Sequence, residues 1–408
     1  MRPLTLGRAW DVLDSLLKAI AESCPAVDVA VAAGDSRRFE PLVSEITLVG
    51  RAVSLPAAID QISALPGITV LRRSSRNVVV KHRDTDVDVQ VAHPDDFGSV
   101  LFLATGSQAH LRAVLEGHRL SDARSEDEIY ARAGLTFIAP ELRSGTGEIE
   151  AAASGLLPAL VSRENIRGDL HMHTTYSDGG DSLTDMVMAC SALGYEYIAI
   201  TDHSEGAAAA NTLTEDQIAR QREEIERLRE RVPGMTILHG TEVDILADGS
   251  LDFSDAILQR FDVVLASLHE SAGHDGRRLT QRCIAALKHP LVNVLTHPMN
   301  RLVGRRGGYE LDYEAVYAAA VETGTALEVD GAPAHLDLDG EHARAAVAAG
   351  VTLTIDSDCH RAQALDRQMR LGIGTARRGW VEPAQVLNTG SIDAVRSFIR
   401  TKRVGAVS

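Results

Sequence analysis

Residues 195–203 read YEYIAITDH, an apolar run that ends in the polar pair Asp202 and His203. The same order, a strand-like apolar run followed by a polar signature, recurs along the chain after Gly168. The other six runs are DLHMH (169–173), MTILHGTEVDI (235–245), FDVVLASLHE (261–270), VNVLTHP (292–298), TALEVDG (325–331) and VTLTIDSDCH (351–360). Helical stretches lie between the runs, so seven βα units predict an α/β fold with a closed (β/α) barrel, one unit short of the eight-stranded form.

Two of the intervening helical stretches carry clear end signals. The stretch at 182–194 stops at Gly194, the residue type that most easily takes the left-handed conformation after a helix. The stretch at 214–231 opens with Thr214 and Gln217, at the spacing of a capping box. The many charges in this second stretch are typical of a solvated helix face.

Polar side chains gather at the carboxyl ends of the predicted strands. They are His171, His173, Asp202, His203, Glu242, His269, His297, Asp358 and His360. Asp178 adds a carboxylate in the loop after the first strand. Barrel enzymes build their active sites at this rim, from the ends of several strands. Because residues i and i+2 of a strand face the same side, His171 with His173 and Asp358 with His360 are expected to converge on one centre.

This set of side chains predicts a metal centre. So many imidazoles and carboxylates without ions would leave charged and polar groups without adequate partners. Mixed imidazole and carboxylate ligands suit Mn, Zn or Fe, and the lack of thiolate disfavours a structural zinc site. One ion cannot take nine or ten ligands, so two or three divalent ions are expected to share bridging carboxylates. Cys359 is expected to point away into the barrel wall.

The first part of the chain has a different pattern. A helix is predicted near residues 8–22, followed by alternating runs at 27–34, 44–50, 77–82 and 86–92. Alternation with a period of two predicts strands of a sheet with one solvated face. A stretch rich in Gly, Ala and Ser follows at 145–168, where we place a boundary. We predict two domains, a smaller α+β domain at 1–160 and the barrel at 161–408.

The composition restricts the possible partners. With 45% hydrophobic and 24% charged residues, the chain has the composition of an ordinary soluble globular protein. Lys and Arg number 41 against 57 Asp and Glu, so at a net charge of −16 any contact with nucleic acid is expected to be local and weak. No apolar run approaches the ~20 residues that span a bilayer, so no membrane partner is expected. Four cysteines without a CxxC motif favour a reducing cytoplasm.

The motifs of the second part resemble those of a known family. DLHMHTTYSDG, ITDHS, GTEVDI, SLHES, LTHP and DSDCH resemble, in order and spacing, the PHP (polymerase and histidinol phosphatase) family. The likeness to the PHP domain of bacterial family X DNA polymerases extends through IRGDLHMH, RLVGRRG and GTARRGWVEPAQVLNT. The resemblance implies a distorted (β/α)₇ barrel with a trinuclear metal site.

The resemblance also assigns nine metal ligands in three sets. The sets are His171, His173, Glu242 and Asp358 for one ion; Glu242, His269 and His297 for a second; and Asp178, His203 and His360 for a third. Glu242 would bridge two ions. Catalysis would depend on Glu242, Asp358 and His203, which hold the ions and set the charge around the attacking nucleophile.

The first domain resembles the palm and thumb of the same polymerases, a nucleotidyltransferase fold. AAGDSRR (32–38) stands at the phosphate-binding turn of the family, and SEITLVG (44–50) at its GDxD strand. Polymerase chemistry needs three carboxylates to hold two magnesium ions on the triphosphate. The first two positions are here Glu45 and Thr47, and only Asp88 is kept. The domain is therefore expected to be a degenerate remnant.

Two further departures support loss of polymerase activity. Asp35 replaces the serine that would meet the triphosphate, which puts a negative charge where an anion belongs. Leu103 and Ala104 replace the Tyr-Phe pair that shapes the nucleotide pocket.

Three arginines follow His297 in the stretch RLVGRR. Arg301, Arg305 and Arg306 would lie just beyond a metal ligand, where guanidinium groups could bind a substrate phosphate through paired hydrogen bonds. The alternative is a solvated loop with structural salt bridges.

The sequence leaves three functions to compare. The first is a metal-dependent phosphoesterase that acts on DNA 3′ ends, as a 3′–5′ exonuclease or a 3′-phosphatase, in a DNA repair role. The second is a small-molecule phosphomonoesterase of the histidinol-phosphatase type, which the acidic charge favours. The third is a non-enzymatic module that binds DNA ends or a partner, and the complete ligand set argues against it.

Overall fold

The computed structural model describes residues 3–116, 120–207, 211–269 and 272–405. The chain divides into two compact units, Met1–Pro158 and Ala159–Ser408. Within the described residues, no helix is both long enough and apolar enough to cross a membrane. Glu270 and Ser271, which end the SLHES motif, lie outside the described residues.

The first unit contains a five-stranded sheet with the strand order β2-β4-β7-β6-β5 and a separate two-stranded pair, β1 with β3. The strands are β1 Leu4–Thr5, β2 Val29–Ala33, β3 Leu42–Val43, β4 Ile46–Arg51, β5 Ile68–Arg73, β6 Asn77–His82 and β7 Thr85–Ala92. The helices are α1 Leu6–Ser23, α2 Gly34–Arg37, α3 Leu55–Ser63, α4 Phe97–Thr105, α5 Gln108–Val114, α6 Glu126–Arg132 and α7 Glu148–Ser154.

Burial in this sheet differs from the predicted single solvated face. Along β7, buried residues alternate with half-buried ones, as the sequence pattern predicts. In β4, by contrast, five consecutive residues are buried, so both faces of this strand are covered. Helix α4 packs its apolar side chains on β2 and β4, where Leu101 meets Ala33 and Val49. The expectation of one solvated face is therefore wrong for β4, because helices cover a central strand.

The second unit is built on a seven-stranded parallel sheet with the strand order β14-β13-β12-β11-β10-β9-β8. The strands are β8 Gly168–Asp169, β9 Tyr197–Ile200, β10 Thr236–Asp244, β11 Val263–Ser267, β12 Val294–Thr296, β13 Ala326–Asp330 and β14 Leu353–Asp356. The helices are α8 Leu183–Ala192, α9 Glu215–Arg231, α10 Asp255–Leu258, α11 Gly276–Lys288, α12 Tyr313–Thr323, α13 Gly340–Ala348, α14 Leu365–Arg378 and α15 Ile392–Gly405. The sequential order of parallel strands confirms the predicted seven-stranded barrel.

The end signals read from the sequence operate as expected. Thr214 caps α9, and both hydrogen bonds of its capping box with Gln217 form. Gly194 follows α8 with a φ of +79°, in the left-handed region that favours glycine.

The first and last strands of the barrel meet through side chains. Oδ1 of Asp356 accepts a hydrogen bond from the Leu170 amide (2.7 Å), and Oδ1 of Asp169 accepts one from the Ser357 amide (3.1 Å). Burial raises the pKa of Asp169 to about 6. Burial, together with the charge of Asp169, also raises the pKa of Asp356. Two carboxyl groups thus stand where a backbone ladder would otherwise join β8 to β14.

This arrangement shortens the first strand. A strand is predicted over 169–173, but β8 covers only Gly168–Asp169. Beyond it, one isolated bridge pairs Met172 with Cys359, and the His173 amide donates to the Cys359 carbonyl (2.9 Å). The ladder is interrupted because the carboxyl groups occupy the hydrogen-bonding positions between the two chain segments.

The side chain of Asn388 also connects β8 to β14 across this junction, which we call the seam. Its Nδ2 donates to the carbonyl of Gly168 in β8 (2.9 Å) and to that of Ile355 in β14 (2.6 Å). Its Oδ1 accepts from the Ile355 amide (3.0 Å). The side chain is fully buried. One amide group therefore links both edges of the sheet.

Helix α15 covers the amino end of the barrel. Val395 and Ile399 pack on side chains of the strands, among them Leu238 and Leu265. Near the end of the helix, the buried Lys402 donates through Nζ to the Leu287 carbonyl (2.8 Å). Burial lowers the pKa of Lys402 to about 7.

We expect Asn388→Leu to destabilise the second unit by about 3 kcal/mol or more. The change leaves two carbonyls and one amide without partners in a buried seam, and each such group costs about 1–3 kcal/mol. The chain has one tryptophan in each unit, Trp10 and Trp380. In a Trp10→Phe background, urea unfolding followed by fluorescence reports the second unit. The exposed Gln259→Leu is the control, and equal stability of both variants would contradict the role given to Asn388.

Candidate metal centre

Glu242 occupies the centre of the site. It lies near the end of β10 and is 1% exposed. Its Oε2 is 3.4 Å from Nε2 of His171 and 3.4 Å from Nε2 of His173. Its Oε1 is 3.0 Å from Nε2 of His297 and 3.9 Å from Nε2 of His269. The two oxygens of one carboxylate thus face two different groups of imidazoles, as a bridging ligand would.

Asp358 reaches the centre from the last strand of the barrel. Its Oδ1 lies 3.2 Å from Nε2 of His173 and 3.7 Å from Nε2 of His171. These histidines follow β8, so the contact exists because the seam brings β8 beside β14.

Asp178 faces a third group of imidazoles. Its Oδ1 lies 3.2 Å from Nε2 of His360, 3.6 Å from Nε2 of His203 and 3.9 Å from Nδ1 of His173. The ring of His173 stacks between those of His203 and His360, with centroids 4.5 and 4.4 Å away. His173 therefore presents one ring nitrogen to each of two groups, which the sequence did not predict.

Three sets of potential ligand atoms can be drawn from the geometry, with all atoms of a set within 4.8 Å of one another. They are His171, His173 and Glu242; Glu242, His269 and His297; and His173, Asp178, His203 and His360. With Asp358 beside the first set, the nine residues predicted from the sequence all lie at this rim. Their assignment to individual ions stays a prediction.

The donor atoms fit divalent ions better than they fit hydrogen bonds. Nε2 of His171 and Nε2 of His173 lie 3.1 Å apart and both face Glu242. Nδ1 of His203, buried and 3.1 Å from a Glu242 oxygen, has no hydrogen-bond partner among the described residues. Imidazole nitrogens and carboxylate oxygens in such numbers are ligands for Zn, Mn or Fe. The centre is therefore built for divalent metal ions.

The ring nitrogens that face away from the metal centre are hydrogen-bonded to carboxylates. Nδ1 of His171 lies 2.6 Å from Oε1 of Glu328, whose Oε2 accepts from the His297 amide (2.8 Å). Nδ1 of His269 lies 2.9 Å from Oδ1 of Asp244. Such partners fix the tautomer and direct Nε2 toward the ions.

Glu328 was not among the residues predicted from the sequence. It lies within the apolar run TALEVDG and is fully buried. A single carboxylate inside a strand predicted to be buried needs a charged or polar partner. The need for such a partner was the signal in the sequence that could have placed Glu328 beside the histidines.

Asp202 belongs to the polar signature, but it positions a loop instead of joining the ligand sets. Its carboxylate accepts hydrogen bonds from the Thr174 amide (2.8 Å), Ser177 Oγ (2.5 Å) and Gln221 Nε2 (2.6 Å). Thr174 and Ser177 lie in the loop that carries Asp178. Asp202 therefore determines where that carboxylate stands.

Imidazoles and carboxylates of the centre shift one another's pKa. Burial alone would lower the pKa of His297, but its hydrogen bond with Glu242 and the charge there raise it to about 9. The same balance, with Asp178 as partner, raises the pKa of His360 to about 9. Burial and the neighbouring His203 lower the pKa of His173 to about 3. Metal ions bind deprotonated imidazoles, so ion binding must release protons from His297 and His360, and it strengthens as the pH rises toward 9.

Two of the nine side chains stand on unusual backbone. His297 has a φ of +27° and Asp358 a φ of +47°. Left-handed backbone at residues other than glycine costs about 1–3 kcal/mol and persists where the surroundings determine it strongly. His297 directly follows β12, and its side chain reaches Glu242 (3.0 Å); Asp358 lies two residues after β14, and its side chain reaches His173 (3.2 Å).

The three arginines predicted to bind substrate have different environments. All nitrogens of the Arg301 guanidinium are bonded within the protein: Nε to the His335 carbonyl (2.8 Å), Nη1 to Asp339 (3.0 Å) and Nη2 to the Leu336 carbonyl (2.5 Å). For Arg301 the alternative reading, a structural salt bridge in a loop, fits these contacts, because each of its three guanidinium nitrogens already donates to a group of the protein.

The other two arginines lie on the exposed surface. Arg306 donates through Nη2 to the carbonyl (2.7 Å) and the side-chain oxygen (3.0 Å) of Asn300, and it lies over the ring of Tyr309. A role in substrate binding stays a prediction for Arg305 and for Arg306, whose hydrogen bonds to Asn300 use Nη2 alone.

In the first unit, the basic residues of the AAGDSRR turn are paired with carboxylates. Arg38 binds Oδ1 of Asp35 (2.5 Å). Arg37 makes two hydrogen bonds to Glu126 (2.9 and 2.7 Å), which also binds the buried Arg143. The positive charge that would meet a triphosphate is therefore already compensated.

The carboxylate positions of this unit are incomplete. In the register of β4 and β7, Thr47 stands beside Asp88. The carboxylate of Asp88 accepts from Nδ2 of Asn77 and from Nε2 of Gln90 (3.0 Å). Glu45 and Asp88 line one cavity of about 380 Å³.

Comparison with known proteins gives the family. Residues 169–296 match the PHP domain. The chain is 37% identical over 391 residues to the DNA polymerase/3′-5′ exonuclease PolX of Bacillus subtilis, which covers 90% of this chain and 68% of that protein. The chain belongs to the PolX family. The PHP domain and the convergent side chains identify it as a metal-dependent phosphoesterase.

Other similar proteins align with a stretch about as long as the second unit, and this stretch covers most of their own length. A probable phosphatase of Thermoanaerobacter sp. is 28% identical over 246 residues, which is 58% of this chain and 95% of that protein. Among solved structures, a histidinol phosphate phosphatase from Lactococcus lactis, complexed with zinc, L-histidinol and phosphate, covers 52% of this chain and 93% of its own, with a TM-score of 0.41 and 18% identity. PolX itself is similar across both units.

We expect Glu328→Gln to weaken metal binding about 10–100-fold, the usual effect of losing a partner behind a histidine ligand. The amide retains the shape of the side chain but cannot supply the negative charge that orients the His171 ring. Calorimetric titration with Mn²⁺ or Zn²⁺ measures the affinity directly. The control is Glu341→Gln, at an exposed position of α13. Unchanged affinity in Glu328→Gln would mean that the carboxylate serves only the fold.

Proposed function

We propose that this phosphoesterase acts on DNA 3′ ends, with two or three Mn, Zn or Fe ions held by the nine side chains around Glu242. The observation that carries the proposal is the convergence of these side chains at one end of the barrel. The cytoplasm is the proposed location, because the four cysteines are free and buried, as suits a reducing compartment.

In the proposed mechanism, the side chains hold the ions, supply negative charge and orient one another. Divalent ions would lower the pKa of a water molecule and offset charge on the phosphoryl oxygens. Glu242 and Asp358 bring negative charge between the groups of imidazoles, and His203 links the sets around Glu242 and Asp178. Because Glu328 holds the ring of His171 in advance, little reorganisation is needed when charge develops in the reaction.

DNA ends are the first candidate substrate because the likeness to PolX, which is named for its polymerase and 3′-5′ exonuclease activities, runs through both units. Small phosphate esters are the second candidate. They are supported by the net charge of −16, which disfavours polyanions, and by the phosphatases that match the second unit over most of their length. A purely binding module is disfavoured, because it would not need nine converging ligands.

The test compares hydrolysis of 3′-phosphorylated DNA, unmodified single strands, histidinol phosphate and an aryl phosphate by the metal-loaded protein. We expect DNA ends to have the highest kcat/KM, and Glu242→Gln to lower kcat on all four substrates by at least about 100-fold, since it removes the bridging charge. Elemental analysis should find two or three transition-metal ions per chain.

The exposed Arg305→Ala separates the substrate classes. If Arg305 binds a DNA phosphate, this variant raises KM for DNA about tenfold, the effect of one lost charge-assisted contact, and spares the aryl phosphate. A preference for histidinol phosphate would favour the second candidate. Absence of transition metal, with stability unchanged by chelator, would contradict the metal centre itself.

We also propose that the first unit has lost polymerase activity. Thr47 cannot ligate a metal ion as a carboxylate does, and the arginines of the AAGDSRR turn are compensated by Asp35 and Glu126. Both the ions and the triphosphate would therefore lack binding groups.

On a gapped primer-template with Mg²⁺ or Mn²⁺, we expect no nucleotide incorporation above background. Asp88→Ala, which removes the one kept carboxylate, is the control for contaminating polymerase, because contamination would survive it. Incorporation by the unaltered chain that disappears in Asp88→Ala would show that this unit is an active polymerase.

A further inference from the structure

A groove lined by arginines lies at the amino end of the barrel, far from the metal centre. It has a volume of about 550 Å³ and runs between α15, the end of α9 and the start of β10. Thr236 lines it, whereas Glu242 lies six residues further along the same strand. At about 3.3 Å per residue, the two sites are about 20 Å apart.

The charge of the groove is opposite to that of the chain. Four arginines line it, Arg229, Arg396, Arg400 and Arg403, against one carboxylate, Asp262. That carboxylate is already engaged, because its Oδ2 accepts from Nη2 of Arg229 (3.2 Å) and from the His239 amide (2.9 Å). In a chain with 57 acidic and 41 basic residues, such a local excess of cations is a distinct feature.

Two of the arginines are held in place by backbone carbonyls. Nε of Arg229 donates to the Ile237 carbonyl (3.0 Å). Nη2 of Arg403 donates to the carbonyls of Phe261 (3.1 Å) and Asp262 (3.3 Å). Arg229 is also ion-paired with Glu226 (2.6 Å) and Asp262 (3.2 Å), which offset its charge. A carbonyl satisfies a donor without cancelling the charge, so Arg403 adds positive potential to a fixed wall.

The other two arginines are available to a ligand. Arg396 and Arg400 are exposed, and in the part of the chain that the structure describes neither forms a hydrogen bond or ion pair. Val395 and Ile399, on the adjoining face of α15, are buried against the barrel, which fixes the helix and hence the face that carries the arginines. Residues four apart in a helix are separated by about 6 Å along its axis, on one face.

We propose that this groove binds the phosphate backbone of a nucleic acid. Two separate guanidinium groups can each take a different phosphate, which a polymer supplies and a single inorganic phosphate does not. None of the groove-lining residues described by the structure is aromatic, so bases find no surface for stacking. Contacts to phosphate alone carry no sequence information, so binding is independent of base sequence. The inference goes beyond the proposed function, since it requires neither metal ions nor hydrolysis.

The experiment measures binding alone, in the presence of chelator. Fluorescence anisotropy of a labelled single strand of about 20 nucleotides is recorded over a range of salt concentrations for the full chain and for Arg396→Ala with Arg400→Ala. We expect the double variant to lose about tenfold or more in affinity at low salt. Two lost phosphate contacts also lower the slope of log K against log salt by about 1.4.

The matched control is Arg220→Ala with Arg227→Ala. Both residues are exposed on α9, outside the groove, and the pair removes the same net charge. We expect this control to keep the wild-type affinity and slope. Equal losses in both pairs would overturn the proposal, because general charge would then account for binding, and so would an unchanged slope in the Arg396/Arg400 variant.

Two further arms test the chemistry of the ligand. Strands of different base sequence should bind with equal affinity, and a strong sequence preference would overturn backbone recognition. Inorganic phosphate at constant ionic strength should compete weakly. Tight phosphate binding by a protein with no affinity for the strand would assign the groove to a small anion instead. Because catalysis is not measured, failure of the proposed phosphoesterase function leaves these outcomes unaffected.

Discussion

The closure of a seven-stranded sheet between β8 and β14 is the constraint on which the metal centre depends. His171 and His173 follow the first strand, and Asp358 and His360 follow the last, so these side chains meet only if the two edges of the sheet are joined. The join is made by Asp169, Asp356 and Asn388, whose side chains bind backbone groups across the seam. A backbone ladder would have been simpler, but it would have continued the β8 strand through the histidines. The isolated bridge at Met172 instead leaves His171 and His173 on one side, with Nε2 atoms 3.1 Å apart.

Many charged groups are buried at the metal centre, and each of them needs a partner of opposite charge or a hydrogen bond. Glu242 and Asp358 are nearly inaccessible, and their pKa values lie below the usual range because, although burial opposes ionisation, the imidazoles around them favour the charged form. The imidazoles in turn need acceptors on their outer sides, which Glu328 and Asp244 provide. Each carboxylate brought in for orientation adds negative charge to the interior. Divalent ions compensate this excess, so the arrangement of the protein groups and the binding of ions support each other.

The sequence predicted the barrel, and the same local patterns put the nine candidate residues at its rim, although their role as metal ligands stays a prediction. Apolar runs that end in His, Asp or Glu mark parallel strands and the rim at the same time, and the runs at 235–245 and 325–331 contain the observed β10 and β13. Groups that act over long distances in sequence were harder to predict. Glu328, inside an apolar strand, and Asn388, in a short turn, act on residues from other parts of the chain, and single-residue patterns do not reveal such contacts. The arginines after His297 illustrate the same limit, since only the structure shows that Arg301 is bonded to Asp339 and two carbonyls.

Arginines are concentrated in the groove at the amino end of the barrel, and the direction of the helices explains part of this concentration. The helices that follow parallel strands return toward the amino end, so their C-termini lie there and favour cations. Basic residues do occupy the last turns of α9, α11 and α15, among them Arg229 and Arg403. Helix dipoles can account for these two arginines, but not for Arg396 and Arg400, which precede the last turn of α15. In the first unit, by contrast, Arg37 and Arg38 are each paired with a carboxylate. Arg396 and Arg400 on α15 therefore carry charge that no helix terminus requires and that no ion pair offsets among the described residues, as the proposed binding of a polyanion needs.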